Sequence, residues 1–500
     1  MKKNITSDIR LVITVALKKE LPTEWLEKNN IPVLTLAAVR AGALKNSGSG
    51  MLVLITGAGL KASEEAACWI RDNLKPFFVV NIGTCGLTDK RRSTGRWLRP
   101  RHVSDEDGSR LELDDRLPLP FPEKITDISS LLSVKKAVLG NIPSAWKDHD
   151  AIDMECFAQA KVFQETGITF HCLKFGTDFC DGNTIDDFNR NLELFRDAVK
   201  RLFAFSTPHT GGITAMIPVH NREHTIQRAL DSVLSQSVMP DEIIVVDDAS
   251  TDRTGEILKG YGDVITLITL AANSGPSRAR NEGVSHAKTE WIAFLDSDDC
   301  WERDKLKNQT AYLKQYPFYQ IMQSDELWIR NGKRVNPCKH HRKPEGWIWE
   351  QSLERCLVSP SGVLIKRSLL QQYGGFDEGL PVCEDYDLWL KISRCHPVGL
   401  DPVPSVIKHG GHEDQLSRRY PAMDSFRVRS LYRMLKNEHS PAYCRKIISV
   451  LEKKLTILIS GYEKRNRAED VRECREMLET VQECRSTAVP MQGQPPVSAR

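Results

Sequence analysis

Short apolar runs alternate with amphipathic stretches along both halves of this chain. That alternation confines each half to a largely parallel sheet covered by helices. In the first half the runs are LVITVAL, MLVLITG, FFVVNIG and FHCLKFG; in the second they are ITAMIPV, EIIVVDD, VITLITL and WIAFLD. Between the halves, at Phe203–Gly212, a helical pattern gives way to Ser, Thr, Pro and Gly, the composition of a linker. From about Ala422 the pattern is helical, and KIISVLEKKLTILISGY is amphipathic. The closing STAVPMQGQPPVSAR has too little apolar content to fold. A chain of 500 residues has room for two or three cored domains. The expected organisation is two α/β domains, 1–205 and 213–421, joined by a linker at 206–212. A helical extension at 422–484 and a loose tail at 485–500 follow.

Composition removes several function classes. A net charge of +3, with 27% charged residues, gives no reason to expect a nucleic-acid partner. The 13 cysteines contain no CxxC pair, so reduced buried thiols and a cytoplasmic location are expected rather than a disulfide or zinc framework. The start, MKKNITSDIRLVITVAL, is basic and then apolar, but the run is short and mixed with Thr, and it reads as a first strand. No window supplies the long apolar run of a membrane span. The amphipathic KIISVLEKKLTILISGY leaves peripheral membrane contact open, with packing in a core the commoner reason for such a pattern.

Ligands of parallel sheets bind beyond the carboxyl ends of the strands, and here those ends are acidic. EIIVVDDAS places Asp247 and Asp248 after one strand; WIAFLDSDDCW places Asp296, Asp298 and Asp299 after another. In an extended chain Asp296 and Asp298 project to the same side, where two carboxylates repel unless a proton or cation separates them. Mg²⁺ or Mn²⁺ suits such a pair and keeps coordination positions open for phosphate oxygens. The same residues also suit a polar turn capping a helix that begins near Trp301.

The order and spacing of four segments in the second half resemble the family 2 glycosyltransferases, which have the GT-A fold. They are IPVHNREHTIQRALDSVLSQS, EIIVVDDASTDRT, NSGPSRARNEGVSHAKTEWIAFLDSDD and SPSGVLIKRSLLQQYGGFDEGLPVCEDYDLWLKI. The resemblance runs from about Ile213 to Tyr420. It implies a nucleotide-sugar donor, a glycan or lipid-linked acceptor, and inversion at the transferred sugar. Donor contacts fall on Val219, Asn221, Glu223, Asp247, Asp248, Arg280 and Asp296, with Asp248 toward the base and Arg280 toward the phosphates. Asp296 and Asp298 are the expected metal residues, joined by His409 or His412 from IKHGGHEDQLSRR, with His412 preferred. Asp385 in CEDYDLWL is the expected catalytic base, since an acceptor hydroxyl is a poor nucleophile until a carboxylate takes its proton. Acceptor recognition is expected at Gln309–Pro360, where basic and aromatic groups form no decodable pattern.

In the first half, VALKKEL, LVLITGAG, VVNIGTCG, AIDMECFAQAKVF and FGTDFCD resemble the nucleoside phosphorylase and nucleosidase superfamily, over roughly Ile9 to Phe205. By that resemblance Glu155, beside Met154, grips a ribose diol, Asp178 protonates the leaving base and Glu20 activates water. Two expectations stand side by side: an active nucleosidase domain, or a binding or association module retaining only the fold. The superfamily's habit of assembling implies a homo-oligomer through this domain.

Overall fold

Strands buried on both faces need unbroken apolar runs, and the computed structural model places every such run in a sheet. The structure describes residues 9–41, 43, 50–121, 123–206, 211–330, 332–335, 342–410, 420 and 422–487. It divides into two units: residues 1–209 with 311–319, and residues 210–310 with 320–500. The expected linker lies mostly outside the described residues, as does the tail from 488 onward.

The first unit holds β1 (Leu11–Val15), β2 (Val33–Thr35), β3 (Met51–Ile55), β4 (Phe78–Leu87), β5 (Trp97–Asp105), β6 (Arg110–Glu112), β7 (Thr126–Ser133), β8 (Ala151–Asp153) and β9 (Thr169–Asp178). Their order is β2-β3-β1-β4-β8-β7-β5-β6, and β9 pairs with both β4 and β5, so part of the sheet closes on itself. Helices α1 (Leu60–Asn73), α2 (Cys156–Phe163) and α3 (Thr184–Leu202) accompany it. Trp97 anchors one side of the core, with Phe175 and Phe195 edge-on at 5.4 and 5.6 Å between ring centroids.

In the second unit β10 (Ile213–Val219), β11 (Glu242–Asp247), β12 (Thr266–Thr269) and β13 (Trp291–Phe294) are parallel neighbours. Helix α4 (Ile226–Leu234) buries Ile226, Ala229, Leu230 and Val233, the i, i+3, i+4, i+7 stripe of a helix covering a sheet. Helix α5 (Pro276–His286) lies so close to β10 that a Cβ on Gly283 would come within 2.5 Å of Met216 Cε. The sheet continues through β14 (Cys300–Trp301), β15 (Ile321–Arg330), β16 (Lys333–Val335), β17 (Val363–Lys366) and β18 (Gly399–Gly410) in the order β12-β11-β10-β13-β17-β15-β18-β14, with β16 on β15.

The helix expected near Trp301 starts later, as α6 (Lys305–Gln315). Trp301 is instead drawn into the sheet: it pairs with Val406, and its indole N–H donates to the Ser361 carbonyl at 2.9 Å. Helix α7 (Glu384–Cys395) carries the expected base. Helices α8 (Asp424–Asn437), α9 (Pro441–Glu463) and α10 (Ala468–Thr487) form the expected helical region. They share one hydrophobic cluster with α7: Tyr386 and Leu390 pack with Leu431, Ile447, Leu451 and Leu455. Burying each such side chain contributes roughly 1.5–3 kcal/mol. The apolar stripe of α9 is thereby used inside the unit, and Ile457 is its large exposed apolar residue. No described helix is long and apolar enough to cross a membrane. The described cysteines are all free thiols.

Candidate functional site

Three strand-end loops of the second unit are tied together by their own side chains. Asp247 Oδ1 accepts the Ser250 N–H at 3.0 Å and closes the turn after β11. Asn221, in the left-handed region at φ 51°, accepts the Thr251 N–H at 2.7 Å, and Glu223 accepts the Arg253 N–H at 3.1 Å. Asp248 accepts from the Ser274 and Gly275 amides at 2.7 and 2.8 Å, which fixes the loop leading into α5. Together they frame one side of a cleft of about 1010 Å³.

Of the residues expected at the site, Val219, Asn221, Asp248, Arg280, Asp296, Asp298 and Asp385 line this cleft. Asp247 and Glu223 do not line it; each bonds to loop backbone beside it. His412 lies outside the described residues. His409 is described, and its backbone N–H donates to Asp299 Oδ1 at 3.2 Å.

The acidic knot is a turn rather than an extended chain. Strand β13 stops at Phe294, and the Asp299 N–H bonds back to the Asp296 carbonyl at 3.0 Å. The alternation expected for Asp296 and Asp298 therefore does not hold, yet both still line the cleft. Each acid has a different remedy for its charge. Asp296 meets Arg280 at 2.8 Å; burial opposes its ionised form, but Arg280, with help from Lys408, holds it below its ordinary range. Asp299 accepts from Ser361 Oγ at 2.6 Å and faces Lys408 at 3.4 Å. Burial nonetheless pushes it up to about 7, with Asp298 and Asp296 adding to the effect. Asp298 is raised by burial and then by Asp296, with Arg222 and Lys408 opposing. A further cation beside it would favour its ionised form.

Among the described residues no group of three or more His, Cys, Asp and Glu is gathered that could hold a metal by itself. The half-buried Asp298 beside Asp296 fits the other arrangement, in which the protein supplies one or two carboxylates and a phosphate-bearing ligand completes the shell.

Helix α7, whose start also lines the cleft, begins after Cys383, another left-handed residue at φ 63°. Glu384 and Asp387 are buried, so this is no solvated helix start. Asp385 remains half-buried and open to the cleft; its Oδ1 accepts the Tyr386 N–H at 2.7 Å and its Oδ2 the Cys356 thiol at 3.5 Å. Arg280 does not sit on a helix surface: it is 5% exposed and bonds both Asp296 and Glu384. Sequence reasoning missed Lys408 and Ser361, because neither belongs to a spacing pattern. Trp328 and the buried Glu326–Lys343 pair, 3.0 Å apart, line the cleft from the stretch expected to meet the acceptor, Gln309–Pro360, where no pattern singled them out.

In the first unit Glu20 is buried and accepts from Thr84 Oγ1 and the Leu17 amide, both at 2.9 Å. Glu155 accepts the Gly59 N–H at 3.3 Å and lies 3.7 Å from Lys174, whose ammonium is also 2.8 Å from Asp153. Met154 packs with Leu132, Ile152 and Cys180. Asp178 accepts from Thr177 Oγ1 and the Cys180 amide, and burial raises it. Lys174 escaped notice because one lysine in the strand FHCLKFG carries no signal of its surroundings.

Comparison with known proteins agrees with the geometry of the second unit. Residues 214–372 match glycosyl transferase family 2. The chain is 32% identical over 186 residues to the putative teichuronic acid biosynthesis glycosyltransferase TuaG of Bacillus subtilis, covering 36% of this chain and 72% of that one. It is 32% identical to the UDP-Glc:alpha-D-GlcNAc-diphosphoundecaprenol beta-1,3-glucosyltransferase WfgD of Escherichia coli, covering 36% of this chain and 70% of that one. It spans 65% of an uncharacterised glycosyltransferase of Rickettsia typhi and 31% of one from Rickettsia bellii. Among solved structures, S. aureus TarS 1-349 with UDP-GlcNAc aligns at 19% identity and TM-score 0.39, covering 55% of this chain and 92% of that one. The 5'-methylthioadenosine/S-adenosylhomocysteine nucleosidase of Helicobacter pylori aligns at 14% identity and TM-score 0.31, covering 39% and 96%. Near a third of positions are shared with TuaG over most of its length, and the segment that matches the family carries the cleft's acidic turn. On those grounds the chain belongs to glycosyl transferase family 2.

Proposed function

We propose that this protein is a metal-dependent, inverting glycosyltransferase of the cytoplasm, moving a sugar from a nucleotide-sugar donor to a hydroxyl of a glycan or lipid-linked acceptor. The observation that carries the reading is the convergence of Asp248, Asp296, Asp298 and Asp385 on one cleft. Val219, Asn221 and the Asp248 loop form the donor side, and Asp385 takes the proton of the acceptor hydroxyl as the new bond to the sugar forms. The Tyr386 amide and the Cys356 thiol orient its carboxylate. The base and the departing diphosphate occupy opposite faces of the sugar carbon, which inverts its configuration. Asp298, with Asp296, would hold Mg²⁺ or Mn²⁺, which supplies positive charge to the departing diphosphate. The name of WfgD supports a UDP-sugar donor and a sugar-diphospholipid acceptor, and that of TuaG an acceptor in teichuronic acid biosynthesis. In thermal-shift measurements on the full chain, UDP is expected to raise Tm with Mn²⁺ present and to leave it unchanged without. No shift with UDP, GDP, CDP or dTDP, with or without Mn²⁺, removes the reading.

A second reading concerns the first unit: cleavage of a nucleoside N-glycosidic bond, with Glu155 on the ribose, Asp178 at the base and Glu20 on water. It is favoured by the grouping of Glu20, Glu155 and Lys174, each buried. Glu155→Gln in the full chain should abolish release of free base from adenosine or inosine; unchanged release sinks the assignment. The same variant has a stability signature. Burial, opposed by Lys174 and reinforced by Asp153 and Glu20, pushes Glu155 from 4.5 up to about 7. Between those values the folded protein keeps a proton that the unfolded chain has lost, so the wild type loses stability as pH rises through that window. Glutamine does not titrate, and the Tm of the variant relative to wild type should increase from pH 5 to pH 8. A difference that is flat with pH would refute the buried, raised carboxyl.

A further inference from the structure

Arg280 joins two parts of the cleft that the chain keeps far apart. Its guanidinium fork is divided between them: Nη1 donates to Glu384 Oε1 at 2.7 Å and Nη2 to Asp296 Oδ1 at 2.8 Å. The Phe376 ring lies 5.1 Å from the guanidinium carbon. Asp296 opens the acidic turn, whereas Glu384 opens α7 and is followed at once by Asp385. A planar guanidinium holds two carboxylates at a set separation and angle, which a compact ammonium on a flexible stem does not. The donor-side turn and the acceptor-side helix are therefore bridged by one rigid group.

We propose that Arg280 is a positioning residue that transmits occupancy of the acidic turn to the base. Nucleotide diphosphate on the turn fixes Asp296; Arg280 then fixes Glu384; and the first turn of α7 settles with Asp385 placed for the acceptor hydroxyl. The inference rests on the donor reading given above. A bridge with only a structural role would hold α7 equally well with the cleft empty or filled. The distinguishing quantity is thus the change that nucleotide produces in α7.

That change can be read by hydrogen exchange of the full chain with and without UDP plus Mn²⁺. In the wild type, the ligand should slow exchange in the first turn of α7 by roughly tenfold, the scale of ordinary coupling free energies. In Arg280→Lys the charge remains but the fork is lost. In Glu384→Ala the fork keeps Asp296 and loses α7. Glu384→Ala should bind UDP within roughly threefold of wild type, and both variants should still show slowed exchange in the acidic turn. The ligand-induced slowing in α7 should disappear from both. Persistence of that slowing in both variants overturns the proposal. So does loss of UDP binding in both, which would make Arg280 a donor-binding group. Failure of UDP to bind the wild type instead removes the donor reading, and the coupling with it.

Discussion

Asp385→Asn is expected to lower turnover by about 10³-fold, within the range that a positioned general base supplies. The affinity for UDP with Mn²⁺ should remain within a few-fold of wild type. The substitution keeps the shape of the side chain and one of its two oxygens, which can still accept the Tyr386 N–H, so the loss is chemical rather than architectural. Asp385 stands on α7, outside the strand-end loops that would grip the donor, which is why binding and turnover separate. The measurement is acceptor-dependent release of UDP from a UDP-sugar, set beside calorimetric titration of UDP. Turnover within tenfold of wild type would mean that another group takes the proton.

Asp298→Ala should have the opposite profile. The metal-dependent part of the UDP thermal shift should vanish, and UDP affinity in Mn²⁺ should fall by at least ~100-fold, beyond the 10–100-fold typical of losing a group outside the coordination shell. The reason lies in how the three acids of the turn are balanced. Asp296 is held ionised by Arg280, Asp299 is raised by burial but keeps Lys408 and the Ser361 hydroxyl, and burial and Asp296 work against the ionised form of Asp298, which lines the cleft. Removing Asp298 relieves that repulsion, so the apo protein should be no less stable than wild type. A variant that binds UDP and Mn²⁺ as tightly as wild type would show that Asp298 holds no metal.

The strands of both units were legible because a buried strand announces itself as an apolar run, and LVITV, ITAMIPV and WIAF are such runs. Residues at the ends of those strands were legible for the same reason: once the strand is placed, Asp248 and Asp296 must lie at its carboxyl end. Local geometry was harder to read. The alternation applied to Asp296 and Asp298 assumed that the strand continued, but Ser361 and the Asp299 amide bend the chain into a turn one residue after Leu295. Partners brought in from distant segments were harder still. Lys408 and Ser361 reach the turn from far along the chain, Ser361 from 65 residues away, and no local pattern announces a contact of that kind. Arg280 shows the same gap: its place in the ARN stretch pointed to the cleft but not to the two carboxylates that share it.

Helix α7 shows Asp385 to the cleft on one side and Tyr386 and Leu390 to the α8–α10 cluster on the other. The segment matched to the family ends at residue 372, before this helix begins. The placement of the proposed base therefore depends jointly on the sheet and on the helices that follow it. Substitutions deep among those helices, at Leu431 or Ile447 for instance, would bear on a reaction that neither residue touches. A rearranged bundle would act as a tuning screw on acceptor geometry, felt at the donor side only through Arg280.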